Sequence, residues 1–143
     1  MTVTSALEKI LSDSYALYFK TQNYHWNVRG AGFRSLHLLF EAQYKELNDA
    51  IDEVAERIRM IGMKVSKISE IMTLSTLSEA TPDSSSYDML KDLADDQEML
   101  ISTLMNGLRT AQKFGDEGTA DMIIQRIKTH QKNRWMLISS LDN

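Results

Sequence analysis

Apolar residues recur at intervals of three and four along most of this chain, which is the spacing of amphipathic α-helices. The pattern predicts long helices at about residues 3–29, 33–62 and 118–141, and another that begins within residues 81–86 and ends at Gly115. The stripe predicted to face the core in the second helix is Phe33, Leu36, Phe40, Tyr44, Leu47, Ile51, Val54, Ile58 and Ile61. In the last helix it is Ile123, Ile124, Ile127, Gln131, Trp135, Ile138 and Leu141.

The connections between these helices predict how they are arranged. The first two and the last two are joined by a few residues, so each pair should form an antiparallel hairpin. About twenty residues separate the hairpins, and they can extend to about 66 Å, whereas a 28-residue helix is about 42 Å long. A long crossover between two hairpins is the connectivity of a ferritin-like four-helix bundle. We expect a short helix at residues 68–72 within this crossover.

Composition narrows the class of protein. The 143 residues suit one domain, which we expect to span residues 1–143, and the absence of cysteine excludes disulfides and thiolate metal sites. The formal net charge of −4 gives no general attraction to nucleic acid. The sequence has neither an apolar run long enough to cross a membrane nor the start of a signal peptide, so we expect a cytoplasmic protein.

Two of the three histidines, together with several carboxylates, lie between residues 25 and 56. On the second helix His37 and Glu41 are four residues apart, as are Asp52 and Glu56, and all four fall on one stripe. Imidazole and carboxylate are a ligand set that suits Fe(II), Mn(II) or Zn(II). His37 and Asp52 are, however, about 22 Å apart along the helix, so the two pairs cannot bind the same ion within one chain.

Three interpretations of these residues remain open from the sequence. An intrasubunit di-iron site would need Glu-x-x-His motifs, and the sequence contains none. A two-fold dimer with antiparallel second helices would bring His37 and Glu41 of one chain to Asp52 and Glu56 of the other, and His25 could join through the short turn. Alternatively, the histidines are core residues and the carboxylates form a solvated face.

The same residues resemble the Dps family of mini-ferritins. The likeness rests on the run His25-Trp26-Asn27-Val28-Arg29-Gly30, then Leu36-His37-x-Leu39-Phe40-Glu41, and then Asp52-x-x-x-Glu56-Arg57-Ile58. It extends over almost the full length, since Asp116-Glu117-Gly118-Thr119-Ala120-Asp121 is similar to the family's acidic turn before the last helix. The loop after Gly62 departs from the Gly-Gly and proline that the family often has there.

This resemblance implies a hollow dodecamer built on two-fold dimers of the second helix. It implies a ferroxidase that oxidises Fe(II), with hydrogen peroxide as the expected oxidant, and stores the ferric mineral as protection against oxidative stress. The implied iron ligands, which would also be the catalytic residues, are His25, His37 and Glu41 of one subunit with Asp52 and Glu56 of its mate. No cofactor other than iron is implied.

Further roles follow from the same resemblance. Trp26 would be an aromatic residue near the iron, with core packing as its alternative role, and Trp135 is expected to pack. Asp116, Glu117 and Asp121 would line an iron-entry pore, with helix capping as the alternative. The lysine-rich tail with which many members bind DNA is absent here, so we expect no DNA binding. The competing function is a non-enzymatic shell or a nucleoid-associated, DNA-protecting protein.

Overall fold

The computed structural model describes residues 1–141, and in that range the chain forms five α-helices. They are α1 (Val3–Asn27), α2 (Phe33–Met60), α3 (Ile68–Met72), α4 (Ser86–Lys113) and α5 (Glu117–Ser139). Helix α1 packs against α2 and α4 packs against α5, and the two hairpins meet mainly where α1 runs along α4. The predicted all-α architecture is confirmed, including the short helix at 68–72 in the long crossover.

Local sequence explains where the helices begin and end. Thr2 and Ser5 form a capping box at the start of α1, and the Ser85 hydroxyl accepts from the backbone N–H of Asp88 at the start of α4. Helix α1 ends at Asn27, two residues before the predicted end, because Val28 adopts an extended conformation. Gly62 follows the end of α2 with φ +95°, a conformation that costs other residues energy.

The core lies along the axis of the bundle and receives apolar side chains from α1, α2, α4 and α5. Leu7, Phe40, Leu100 and Ile123 are among the side chains that are completely buried. Gly107 lets α1 approach α4 closely, since a Cβ at that position would lie 2.9 Å from Cδ1 of Ile10. None of the helices in residues 1–141 is both long and apolar enough to cross a bilayer.

The core face of α5 differs from the predicted one. Ile124, Trp135 and Ile138 are 40%, 64% and 41% exposed, so the prediction that Trp135 packs in the core is wrong. Gln131, also assigned to the core stripe, is exposed too. The polar residues Arg126, His130 and Asn133 are buried instead.

Hydrogen bonds explain why polar residues occupy this face. Arg126 forms a bidentate ion pair with Glu46, and its Nη2 also donates to Nε2 of His130 at 2.9 Å. His130 Nδ1 therefore carries the ring proton and donates it to Oε1 of Gln97 at 2.7 Å. Burial, and then the neighbouring Arg126 charge, lower the pKa of His130 to about 3, so this histidine is a neutral core residue.

The crossover is attached to the bundle through Asp13 on α1, which is completely buried. Its Oδ1 accepts from the backbone N–H of Thr76 at 3.0 Å and from the hydroxyl of Ser75 at 3.2 Å. Its Oδ2 accepts from Lys9 Nζ and from the Thr103 hydroxyl on α4, both at 2.9 Å. One carboxylate thus connects α1, the crossover and α4.

A second buried charge cluster lies further along α1. Lys20 Nζ lies 2.9 Å from Asp92 Oδ1, 2.8 Å from Asp96 Oδ2 and 3.1 Å from the Ser78 hydroxyl. Burial raises the pKa of Asp96 to about 6, although Lys20 opposes that shift. The cluster therefore contains a carboxyl group that takes up a proton in mildly acidic solution.

Candidate metal centre

The two histidines of the predicted site meet across the α1–α2 turn. His25 is in the last turn of α1 and His37 is one turn into α2, and the intervening turn uses Gly30 at φ +105°. The imidazole rings stack with their centroids 3.8 Å apart and their planes at 14°. His25 is buried and His37 is half-buried.

Each histidine is oriented by the backbone of the other. Nδ1 of His25 lies 2.8 Å from the carbonyl oxygen of His37, and Nδ1 of His37 lies 2.7 Å from the carbonyl oxygen of His25. A carbonyl oxygen can only accept, so both Nδ1 atoms carry a proton. In the neutral rings both Nε2 atoms consequently keep a free lone pair, which is the state of a metal-binding histidine.

Glu41, one turn after His37 on α2, supplies a carboxylate to the same place. Its Oε2 lies 3.7 Å from Nε2 of His25, and one ligand atom from each of the three residues lies within 4.8 Å of the other two. Atoms bound on opposite sides of an ion at about 2.1 Å would be about 4.2 Å apart, so small side-chain movements close this set around one ion. The Lys45 ammonium, 3.0 Å from Oε1, lowers the pKa of Glu41, and the two histidines add to that effect.

Two aromatic residues that the sequence analysis did not assign to the site enclose the histidine pair. Phe33 stacks on His37 with centroids 4.9 Å apart, and Tyr44 meets the ring of His25 edge-on at 5.2 Å. The signal was present in the spacing, because Phe33 precedes His37 by four residues and Tyr44 follows it by seven, on the same helix face. The prediction that both belong to the core stripe is wrong for Phe33, which is 42% exposed.

Asp52 and Glu56 lie at the other end of α2, and both are exposed. The charge of Asp52, together with a hydrogen bond between the two carboxyl groups, raises the pKa of Glu56. A bound cation would relieve this repulsion. Within one chain this pair is separate from the His25, His37 and Glu41 cluster, as the fifteen-residue spacing requires.

The remaining candidate residues lie outside the cluster of His25, His37 and Glu41. Trp26 is adjacent to His25 in sequence but 62% exposed, so it does not pack in the core of its own chain. Asp116 caps α5 by accepting from the Thr119 backbone N–H at 3.0 Å, and it pairs with Arg57 at 2.9 Å. Burial opposes its ionisation, but Thr119 and Arg57 outweigh burial and hold the pKa of Asp116 low. Glu117 and Asp121 are exposed at the start of α5.

Known proteins share this fold and much of the sequence. The family model of the ferritin-like domain matches residues 4–143. DNA protection during starvation protein 2 of Bacillus anthracis is 36% identical, over 98% of this chain and 97% of that protein. A low temperature-induced protein of Nostoc is 38% identical over 98% of this chain and 80% of its own length.

Solved structures agree with these relatives. Dps from Staphylococcus aureus superposes with a TM-score of 0.93 and 32% identity, covering 99% of this chain and 95% of that one. A Dps protein from Vibrio cholerae is described as a member of the superfamily of ferritin-like diiron-carboxylate proteins. It superposes with a TM-score of 0.90 and 30% identity, covering 96% of this chain and 87% of that one. The fold and the sequence match therefore define a ferritin-like protein. Within that class, the chain belongs to the Dps family.

Proposed function

We propose that this protein is an iron-storing ferroxidase whose first ligands are His25, His37 and Glu41. The observation that carries the proposal is the reciprocal pair of histidine–carbonyl hydrogen bonds, which leaves both Nε2 atoms free beside an ionised carboxylate. The ligand atoms of the three residues lie within 4.8 Å of one another, so little reorganisation is needed to bind Fe(II). Membership of a ferritin-like family supports iron as the physiological metal.

The ligand set is completed by a second copy of the chain. Asp52 and Glu56 lie on the same stripe of α2 as His37, but about 22 Å and about 28 Å from it along the axis. An antiparallel two-fold dimer of α2 brings these carboxylates to the partner's histidines and forms two equal sites. The mutual repulsion of the Asp52 and Glu56 carboxylates favours binding of a cation beside them. We expect the dimers to assemble further into a hollow dodecamer, as the resemblance to mini-ferritins implies.

The chemistry is electron transfer from bound Fe(II) to hydrogen peroxide. Two Fe(II) ions, one hydrogen peroxide and two protons give two Fe(III) ions and two water molecules. The imidazoles and carboxylates hold the iron, and the ionised carboxylates stabilise the higher charge of Fe(III). The ferric product is stored inside the shell. In the cytoplasm this reaction removes both reactants that generate damaging radicals.

Iron entry is the proposed role of the acids at the start of α5. Glu117 and Asp121 are exposed, and acidic residues around a narrow pore focus a negative potential that attracts cations. Asp116 is less suited to this role, because its carboxylate is already engaged by Thr119 and Arg57. We therefore assign the pore to Asp121 and Glu117, with Asp116 holding the start of the helix in place.

Relatives of this chain carry the name DNA protection during starvation protein. We propose that protection here comes from removing iron and peroxide rather than from binding DNA. Net charge of −4 per chain opposes contact with phosphates, because that binding depends on clustered Lys and Arg. A protein that retarded plasmid DNA in a salt-sensitive manner would instead support the nucleoid-associated alternative.

The matched pair Asp52→Ala and Glu53→Ala tests the proposal. Both residues are exposed carboxylates on α2, but adjacent residues of a helix point about 100° apart, so Asp52 lies on the stripe of His37 and Glu56 whereas Glu53 lies outside it. We expect Asp52→Ala to lower the initial rate of peroxide-dependent Fe(II) oxidation at least tenfold, an estimate from the loss of a ligand-shell group. Glu53→Ala should oxidise iron like the wild type. Equal rates in both variants and the wild type would contradict the proposed ligand set.

A further inference from the structure

A buried imidazole on α5 is arranged like a metal ligand but faces an arginine. His130 is 1% exposed, and its Nδ1–H donates to Oε1 of Gln97 at 2.7 Å. Histidines that bind metals are oriented in this way, because one ring nitrogen donates to an oxygen and the lone pair of the other is directed at the ion. Here Nε2 lies 2.9 Å from Nη2 of Arg126. The guanidinium therefore occupies the position that a metal ion would have relative to this ring.

The carboxylate of Glu46, on α2, contacts the same guanidinium. Its Oε1 lies 3.1 Å from Nη2, so one nitrogen atom of Arg126 contacts both an imidazole nitrogen and a carboxylate oxygen. Bonds from Zn(II) to such ligands are about 2.0–2.2 Å long, so an ion at the position of Nη2 would need each ligand to approach by about 1 Å. The Glu46 side chain is 44% exposed, so it is able to make this movement and leaves an entry path from solvent.

A buried amide oxygen provides a third donor in the same layer of the bundle. Gln43 lies one turn before Glu46 on α2 and is buried. Its amide nitrogen donates at 3.3 Å to the backbone oxygen of Asn133, which lies one turn after His130 on α5. No group within residues 1–141 donates a hydrogen bond to its Oε1, which is buried as well. Imidazole nitrogen, carboxylate oxygen and amide oxygen together form a donor set that suits Zn(II) or Fe(II).

We propose that the guanidinium of Arg126 occupies a latent divalent-metal site inside the bundle and keeps metal ions out of it. The ligands of this site are His130, Glu46 and Gln43. A guanidinium stays protonated in proteins, so a metal ion cannot displace its charge by releasing a proton, as it can at a histidine or a cysteine. The fixed positive charge also repels a divalent ion that approaches Glu46.

The consequence for iron rests on the proposed ferroxidase function. Fe(II) held by His130 would lie within one chain, without Asp52 and Glu56 of a second chain. Because Arg126 fills this site, Fe(II) is confined to the ligands proposed between chains. Arg126 is thus a residue that determines where metal binds, although it is not itself a ligand.

The test is metal binding by the assembled Arg126→Ala protein, measured with Co(II) by equilibrium dialysis and visible absorption. The substitution removes the guanidinium and leaves the three donors, so we expect one more Co(II) per chain than in the wild type. Adding His130→Gln should weaken this extra site by about tenfold or more, since the loss of even an indirect partner of a metal site has effects of that size. In nitrogen NMR of isotope-labelled histidine, the Nε2 resonance of His130 should shift on addition of Zn(II) in Arg126→Ala but not in the wild type.

Two variants serve as controls. Arg126→Met removes the same charge but fills the space with an uncharged side chain, so it should bind no more Co(II) than the wild type. Arg134→Ala removes another arginine of α5, whose Nε lies 3.0 Å from Oε2 of Glu98 in an exposed ion pair. It should likewise bind no more Co(II) than the wild type.

Two results would overturn the inference: an Arg126→Ala protein that binds no more Co(II) than the wild type, and extra Co(II) that persists after His130→Gln. If Arg126→Ala does not fold without metal, Zn(II) should restore its helical circular dichroism, because an ion that binds only the folded chain stabilises it. An unfolded variant that Zn(II) does not restore would also contradict the latent site. Co(II) binding does not depend on iron oxidation, so a wild type that fails to oxidise Fe(II) contradicts the proposed function and leaves the latent site unaffected.

Discussion

Asp96 and His130 are buried titratable groups that respond to acid in opposite directions. The pKa of His130 is lowered from 6.5 to about 3 by burial, so the unfolded chain takes up that proton first. This histidine therefore makes the fold less stable as the pH falls from about 6.5 towards 3. Burial raises the pKa of Asp96 from 3.8 to about 6, so the folded chain takes up its proton first, and the fold gains stability over that interval.

The contributions of Asp96 and His130 to the free energy of unfolding should nearly cancel in the wild type between about pH 6 and 4. Single variants should separate the two contributions. A one-proton difference changes the free energy of unfolding by about 1.4 kcal/mol per pH unit. We expect Asp96→Asn to lose stability more steeply than the wild type on acidification from about pH 6 to 4, and His130→Gln to lose less or to gain. Urea unfolding at several pH values measures both slopes.

Asp49→Asn is the control for this comparison, because Asp49 is exposed on α2 and is not among the charges that shift the pKa of Asp96. Parallel pH profiles for Asp96→Asn, His130→Gln and the wild type would show that neither buried group is linked to folding in the stated direction.

At the scale of single elements, the start of α5 carries two acids with separable roles, Asp116 at the N-cap and Asp121 in the second turn. Asp116→Ala removes the helix cap and the Arg57 partner, and loss of an N-cap alone costs about 0.5–2 kcal/mol. Asp121→Asn touches neither contact, so we expect it to keep the stability of the wild type but to take up iron more slowly at low salt. The deficit should shrink at high salt, because screening weakens the guiding field of the wild type too.

Thermal unfolding and iron-uptake kinetics, measured on both variants, check this assignment. A stable Asp121→Asn assembly with normal uptake at low salt would show that Asp121 has no part in iron entry.

The elements also show where sequence periodicity was sufficient and where it failed. Helix α2 was predicted to within two residues, since most of its apolar stripe is also its buried face. On α5 the stripe through Trp135 was wrong, because the polar residues Arg126, His130 and Asn133 take the core positions. Arg126 and His130 are hydrogen-bonded to each other and to Glu46 and Gln97 on other helices. Periodicity counts apolar residues, and it cannot indicate that a charged side chain will find its partner on another helix.

The meeting of His25 and His37 was predictable for a different reason. The turn between α1 and α2 is short, so the antiparallel hairpin places His25, near the end of α1, next to His37, near the start of α2. What the sequence did not indicate is that each ring would bind the other's carbonyl, because backbone acceptors are the same at every position. Nor did it indicate which apolar residues of α2 would be exposed, since Ala50 is buried and Leu38 is 50% exposed.

At the scale of the whole molecule, the exposed apolar side chains point to assembly through more than one surface. Leu38 on α2 is 50% exposed and Trp135 on α5 is 64% exposed, and they belong to different hairpins. Large apolar side chains on a surface often mark interfaces. Two such surfaces allow a closed shell to grow from two-fold dimers, whereas a single one would stop at the dimer.

Mixed assemblies test whether the iron site is shared between chains. His37→Ala and Asp52→Ala each remove a different half of the proposed ligand set, so both homogeneous assemblies should be inactive. In a mixed dimer one site is intact and the other lacks both halves. Co-assembly of the two variants should therefore restore part of the Fe(II) oxidation, measured after confirming that mixed species have formed. Mixed assemblies as inactive as either parent would rule out the intersubunit site.

Asp13 has a consequence that concerns the order of events in time. The crossover contains only one short helix, so by its own contacts it should open and close quickly, like other long loops. Its attachment, however, ends on a carboxylate inside the bundle, and opening the crossover alone would leave part of that buried acceptor unsatisfied. We therefore expect the backbone amide of Thr76, which donates to Asp13, to exchange its hydrogen with solvent more slowly than amides elsewhere in the crossover.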